Sequence, residues 1–310
     1  MSFDLPDILF KFDYFVCLLL GYPLNIILII LIIFKTPKEM ETHSRILIQN
    51  CVLDILMLTN QMFLQGFKIL DAEGNAIEVY PNGILFIFTD KNFNPIICYI
   101  AGIVWVYFGN SNLHGLCVQF IYRYLVLNRN MKINIRRYLS MLSIALIVQL
   151  FYILVVAFFI NPYSFGGIKY FDNFNKTMPF IQYGQADKMS SYLIIPVILI
   201  ELSTYLIIIV CGFKMVRYVN LNTNIDGNLK RLNKLLTKVL IILAVVPFVN
   251  QAGLIYSMIN SKTNNNTANI IRILIYSSFH LIPVFNPIIC ILTNTPYRNA
   301  VFNRSQVHPQ

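Results

Sequence analysis

The stretch Tyr14–Phe34, YFVCLLLGYPLNIILIILIIF, decides the fold. It holds no charged residue. About 20 apolar residues, rising 1.5 Å each in a helix, cross the roughly 30 Å hydrocarbon core of a bilayer. A secretory leader has an apolar region of about 7–15 residues and then a small-residue cleavage site. This run is longer, contains Pro23 and Asn25, and meets no such site before Lys35. It reads as a first membrane span that serves as its own insertion signal. Outward from it, six further stretches share its character, so the expected spans are 12–34, 45–67, 98–126, 138–160, 190–213, 237–259 and 270–292. The expectation is an all-α fold, a seven-transmembrane helix bundle forming a single domain over 1–310, with 293–310 as a short tail.

Composition agrees. Only 12% of residues are charged and 57% are hydrophobic, whereas a soluble domain carries about 25% charge. The basic residues fall mainly in alternate gaps. Sixteen Lys and Arg lie in the gaps after spans one, three and five and in the tail, against three acids. The opposite side has eight basic residues and nine acids. By the Lys/Arg bias the basic side is cytoplasmic, which puts the N-terminus outside and the C-terminus inside. The formal charge of +10 would suit a nucleic-acid binder, but here the excess faces an anionic leaflet. The expected partner is a lipid bilayer, with no nucleic acid. If the polar second stretch were not a span, every later loop would change sides and the charge pattern would invert.

Five of the six cysteines fall inside spans, and the outer segment 161–189 has none. A disulfide from the third span to that segment is therefore impossible within the chain. Turn signals punctuate the outer segments at Gly74-Asn75, Pro81-Asn82-Gly83 and Gly166-Gly167. The sequons at Asn175 and Asn265 lie on the expected outside, where glycosylation occurs, while a third, at Asn303, lies inside.

Few residues could carry chemistry. Asp54 sits mid-span, where a carboxylate costs about 2.5–3.5 kcal/mol; Asn25 and Asn286 are its candidate partners in a polar cluster between helices one, two and seven. The cluster can be structural glue, a switch, or both. Arg123 closes the third span between Tyr122 and Tyr124, either snorkelling to the interface or contacting a partner. Pro196, Pro247 and Pro283 interrupt spans five to seven and can kink them. Trp105 lies five helical turns before Arg123 on one face, with Gly109 and Asn112 near it. These three, with Glu201, Asn250 and Gln251, are candidate ligand-pocket residues, although Trp105 can equally be an interfacial anchor and Glu201 a structural acid. No H-E-x-x-H, phosphate-binding glycine loop or paired catalytic carboxylates occur, and span seven has no Lys to hold retinal. No enzyme activity, cofactor or metal is expected.

Taken together, Asn25, Asp54, Tyr122-Arg123-Tyr124, Pro247 and Asn286-Pro287-Ile288-Ile289-Cys290 resemble a G-protein-coupled receptor. Lys35-Thr36-Pro37-Lys38-Glu39-Met40 and Thr295-Pro296-Tyr297-Arg298 are similar to strings of nematode serpentine chemoreceptors, nearest to class delta (Srd). The resemblance covers essentially the whole chain. It implies Arg123, with Tyr122 and Tyr124, at the G-protein end; an interhelical network of Asn25, Asp54, Asn286 and Pro287; and Pro247 as the pivot of helix six. It further implies a heterotrimeric G protein, an unidentified small-molecule or peptide ligand, and a plasma-membrane location, the ciliary membrane of sensory neurons being one setting. Tyr122 stands where rhodopsin-like receptors usually have an acid, Cys290 replaces a Tyr, and span four lacks Trp. The alternative from composition alone is a small multi-pass transporter or channel, which would want more intramembrane charge than Asp54 and Glu201 provide.

Overall fold

The computed structural model describes residues 5–36, 41–70, 76–85, 94–160, 162–171, 174–184, 188–221, 227–259 and 266–302. Helix α1 spans Leu5–Lys35, α2 Glu41–Phe63, α3 Pro95–Asn128, α4 Ile135–Val155, α5 Lys188–Leu221 and α6 Gly227–Ile259. Each contains a segment long and apolar enough to cross a membrane. The seventh crossing is a broken pair, α7 Asn266–His280 and α8 Ile282–Thr293, bent by 49°. Pro283 lies just after the break and has no N–H for the Phe279 carbonyl. A short helix α9, Thr295–Val301, folds back on α1, where the Tyr297 hydroxyl meets Thr36 Oγ1 at 2.9 Å.

Local chemistry explains several ends. Asn94 caps α3 by accepting the Ile96 N–H at 3.0 Å, and Pro95 fills the first turn, where its missing N–H has no cost. Helix α4 finishes in a π-helical turn over Val156–Ile160. Helices α5 and α6 run well past the apolar stretches that mark them in the sequence. Their extra turns carry Lys214, Arg217, Lys230 and Lys234, whose long stems let apolar carbons stay packed while the charge reaches water.

Span two ends earlier than its sequence reading, because residues 65–70 are strand. Strands β1 Gln65–Leu70, β2 Ala76–Asn82, β3 Tyr163–Phe171 and β4 Lys176–Tyr183 form one antiparallel sheet in the order β1-β2-β4-β3. The helix bundle stands as expected; the sheet is the addition. Its parts come from two connections, and β2 pairs with β4 through Ile77↔Gln182, Glu78↔Ile181 and Val79↔Phe180. That ladder fastens the two connections to each other where no disulfide is possible. All six cysteines are free and buried.

The inner strands of the sheet are packed on both faces, while the edge strand β3 leaves Phe165, Ile168 and Tyr170 about half exposed. Phe67, Ile69, Ile77, Val79 and Phe180 pack with Phe10 of α1 and Ile273 of α7. Tyr80 and Ile181, on the other side, pack with Cys98 and Tyr99 of α3. At the far end of the bundle, Leu28, Leu47, Leu113, Phe120, Met215, Leu240 and Cys290 form the main core. Around the outside, large side chains such as Leu19, Phe151 and Phe213 are about two-thirds exposed, a girdle that suits lipid.

Candidate functional site

Three polar assemblies lie along the bundle axis between the sheet and the tail end. The first is at the sheet. Glu78, 6% exposed, projects from β2 and accepts a hydrogen bond from the Tyr183 hydroxyl. Room for its carboxylate comes from Gly66, where a Cβ would stand 2.3 Å from Oε1. Lys68 faces Glu78 across the ladder and sits 4.7 Å from the Tyr183 ring centre. Burial, with the Glu78 carboxylate adding to it, holds the Tyr80 and Tyr183 phenols well above the usual range. Both stay neutral donors at any ordinary pH.

A buried chain runs from this sheet to the break in the seventh span. Asn82 Nδ2 donates to Gln65 Oε1 at 2.8 Å, and Gln65 Nε2 donates to Asp13 Oδ2 at 2.6 Å. Asp13 is paired at 2.6 Å with Nδ1 of His280, the last residue of α7. The His280 ring meets Trp105 edge-on at 5.3 Å and Phe67 at 4.9 Å. Sequence reasoning missed Asp13, Gln65, Glu78 and His280. A buried acid on α1 facing the only His of the seventh span was the available signal.

The second assembly is mid-bundle. Asn112 Nδ2 donates to Asp54 Oδ1 at 2.8 Å, and Asn286 Nδ2 reaches both carboxylate oxygens at 3.0 and 3.1 Å. Interhelical hydrogen bonds in membranes contribute about 0.6 kcal/mol on average and about 1.7 at most. Two amides therefore offset the cost of the carboxylate only near the top of that range, so the network tolerates little loosening. Asn25 is not a direct partner of Asp54. Its amide donates to the carbonyls of Gly21 at 2.9 Å and Pro283 at 2.8 Å. Pro283 O lies four residues before Pro287, which has no N–H to give it. Asn25 supplies the missing donor, and that is how Asn25 and Pro287 enter one network.

The expected ligand-pocket residues do not share one chamber. Trp105 packs at a tilt on Tyr276 and edge-on against Phe279 and His280 at the break, its indole N–H buried without an acceptor among the described residues. Gly109 faces Met57 of α2, and Asn112 belongs to Asp54. Asn250 forms a closed pair with Ser278 of α7, donating to its carbonyl at 3.3 Å and accepting from its hydroxyl at 2.8 Å. Glu201 sits beside the tyrosines Tyr152 of α4 and Tyr205 of α5. Gln251, next to Asn250 on α6, is half-buried.

The third assembly is at the tail end. Three consecutive residues of α3 point to three neighbours. The Tyr122 ring packs edge-on to Tyr138 of α4 at 5.4 Å. Arg123, 6% exposed, donates from Nη2 to the Asn233 carbonyl of α6 at 3.4 Å. Tyr124 carries Lys214 of α5 over its ring at 5.5 Å. Steps of about 100° per residue make this fan possible. The long Arg123 bond is weak, so this polar contact between α3 and α6 is easy to release. Pro247 lies in α6 above it. Of the two sequons expected outside, Asn175 is in an exposed turn between β3 and β4, with φ of 45°; Asn265 falls outside the described residues. The family model for the serpentine type 7TM GPCR chemoreceptor Srd matches residues 10–303. No curated protein matches the chain.

Proposed function

The chain belongs to the Srd family of serpentine seven-transmembrane chemoreceptors, and from that premise we propose that it detects an external ligand at the sheet end and activates a heterotrimeric G protein at the Arg123 end. In this reading the N-terminus and sheet are extracellular and the basic loops are cytoplasmic, as the Lys/Arg bias requires. The receptor resides in the plasma membrane, and in a sensory neuron that includes the cilium.

The observation that carries the reading is the broken seventh span, held from both directions. His280 ties its upper half to Asp13 and, through Gln65, to the sheet. Asn286 and Pro283 tie its lower half to Asp54 and Asn25. A ligand lodged by Trp105 and His280 favours one arrangement of this break to the extent that it binds that arrangement better. The Asp54 network passes the change to α2 and α3, Arg123 leaves Asn233, and α6 turns about Pro247 to admit the G protein. An odorant and peptide panel applied to cells expressing the receptor, with nucleotide exchange on the G protein as readout, tests it. At least one compound should evoke exchange absent from untransfected cells. Ligand-driven ion or solute flux without any G protein would replace this reading with the transporter one.

A further inference from the structure

We propose that the flank of the bundle between the tail ends of α3 and α5 binds the headgroup of a phosphoinositide. An open cleft of about 370 Å³ lies there, lined by Asn128 of α3 and Lys214, Arg217, Tyr218 and Leu221 of α5. Snorkelling cations at a helix end need no ligand in general. Two features of this cleft ask for one. Neither Lys214 nor Arg217 has an acidic partner among the described residues, whose ion pairs, Lys11 and Lys176 with Asp7 and His280 with Asp13, lie at the sheet end. Asn128 donates its amide to the Lys214 carbonyl at 3.1 Å, and its buried Oδ1 has no donor among the described residues. Tyr218 lines the same cleft. The cleft thus offers cations for phosphate oxygens together with an unmet acceptor for a hydroxyl, and an inositol phosphate presents both.

Position points to a lipid. Asn128 follows Arg123 by five residues, about 140° around α3, so the cleft opens on a different flank from the α3–α6 contact. Leu206, Val210 and Phe213 of α5 are exposed in a stripe that descends to Lys214, a track along which acyl chains can lie while the headgroup meets the cations. Basic pockets between membrane helices on the cytoplasmic side bind such headgroups. The inference rests on the cytoplasmic placement of this face for its biology, but binding to the cleft does not, so a lipid titration reads the two separately.

The experiment is native mass spectrometry of the purified full chain titrated with phosphatidylinositol bisphosphate, phosphatidylserine or phosphatidylcholine. The bisphosphate should bind most tightly. K214Q should weaken it about fivefold and K214Q/R217Q about 25-fold, from the attraction each cation contributes near an anionic headgroup. R136Q/R137Q, altering exposed cations on α4 outside the cleft, should change it less than twofold. Equal loss in R136Q/R137Q, or none in K214Q/R217Q, overturns the site. Equal binding of phosphatidylserine overturns the headgroup. A soluble inositol phosphate binding as tightly as the lipid overturns the membrane source.

Discussion

Asn25 gives both hydrogens of its amide to carbonyls, one of them left without a helical donor by Pro287. Replacing it by Ala unpairs Pro283 O in the middle of the bundle. The loss of such a partner costs about 1–3 kcal/mol, and Asn25→Ala should lower the thermal midpoint of the purified receptor in detergent. An unchanged midpoint would mean that the carbonyl finds another donor and that the Asn25 bond is incidental. Half of this network was legible in the sequence. A carboxylate in a span needs donors, and Asp54 with Asn286 follows from that need alone. Asn25 was placed in the right cluster with the wrong partner, because its true acceptors are backbone carbonyls, and a carbonyl has no letter of its own. Asn112 was assigned to the ligand for a similar reason: helical spacing gives the face a residue occupies, not the atom it reaches.

Among the elements, the sheet was the least legible. Phe67, Ile69, Ile77 and Val79 alternate with other residues as strands require, yet β1 directly follows an apolar span, and the sequence reading of that span, 45–67, takes in its first half. The β2–β4 ladder joins segments about a hundred residues apart, and nothing local announces such a pairing. Since this ladder stands where a disulfide cannot form, dithiothreitol should leave the thermal midpoint unchanged; a clear drop would reveal a covalent link that six free cysteines exclude. The turn after β2 gives a second test. Gly83 has φ of +150°, and a Cβ there would lie 2.4 Å from the Phe63 carbonyl oxygen. Gly83→Ala should sharply reduce surface expression. Gly167→Ala, whose nearest contact would be 3.9 Å, should not. Equal behaviour of the two variants would show that the turn geometry is not limiting. The break in the seventh span was partly visible, since Pro283 marks it, but its 49° bend and its tie through His280 depend on packing.

At the scale of the whole molecule, charge was the most informative property of the sequence. Sixteen of the 24 Lys and Arg cluster on one side, and the proposed topology puts that side in the cytoplasm because of the positive-inside bias. In intact cells an N-terminal epitope should be accessible and a C-terminal one only after permeabilisation. Asn175→Gln should also remove a glycosidase-sensitive mass. The reverse accessibility would invert the topology and move Arg123 to the outside. Within the proposed topology, the bundle joins a sheet-capped outer end to a basic inner end, with Asp54 between them and Arg123 as the contact that yields. The most direct measurement is ligand-evoked nucleotide exchange on a heterotrimeric G protein, comparing the wild type with Arg123→Ala at matched surface expression. The account predicts at least a tenfold loss of exchange, about 1.4 kcal/mol or more of coupling, with ligand binding retained. Exchange at the wild-type level would contradict it.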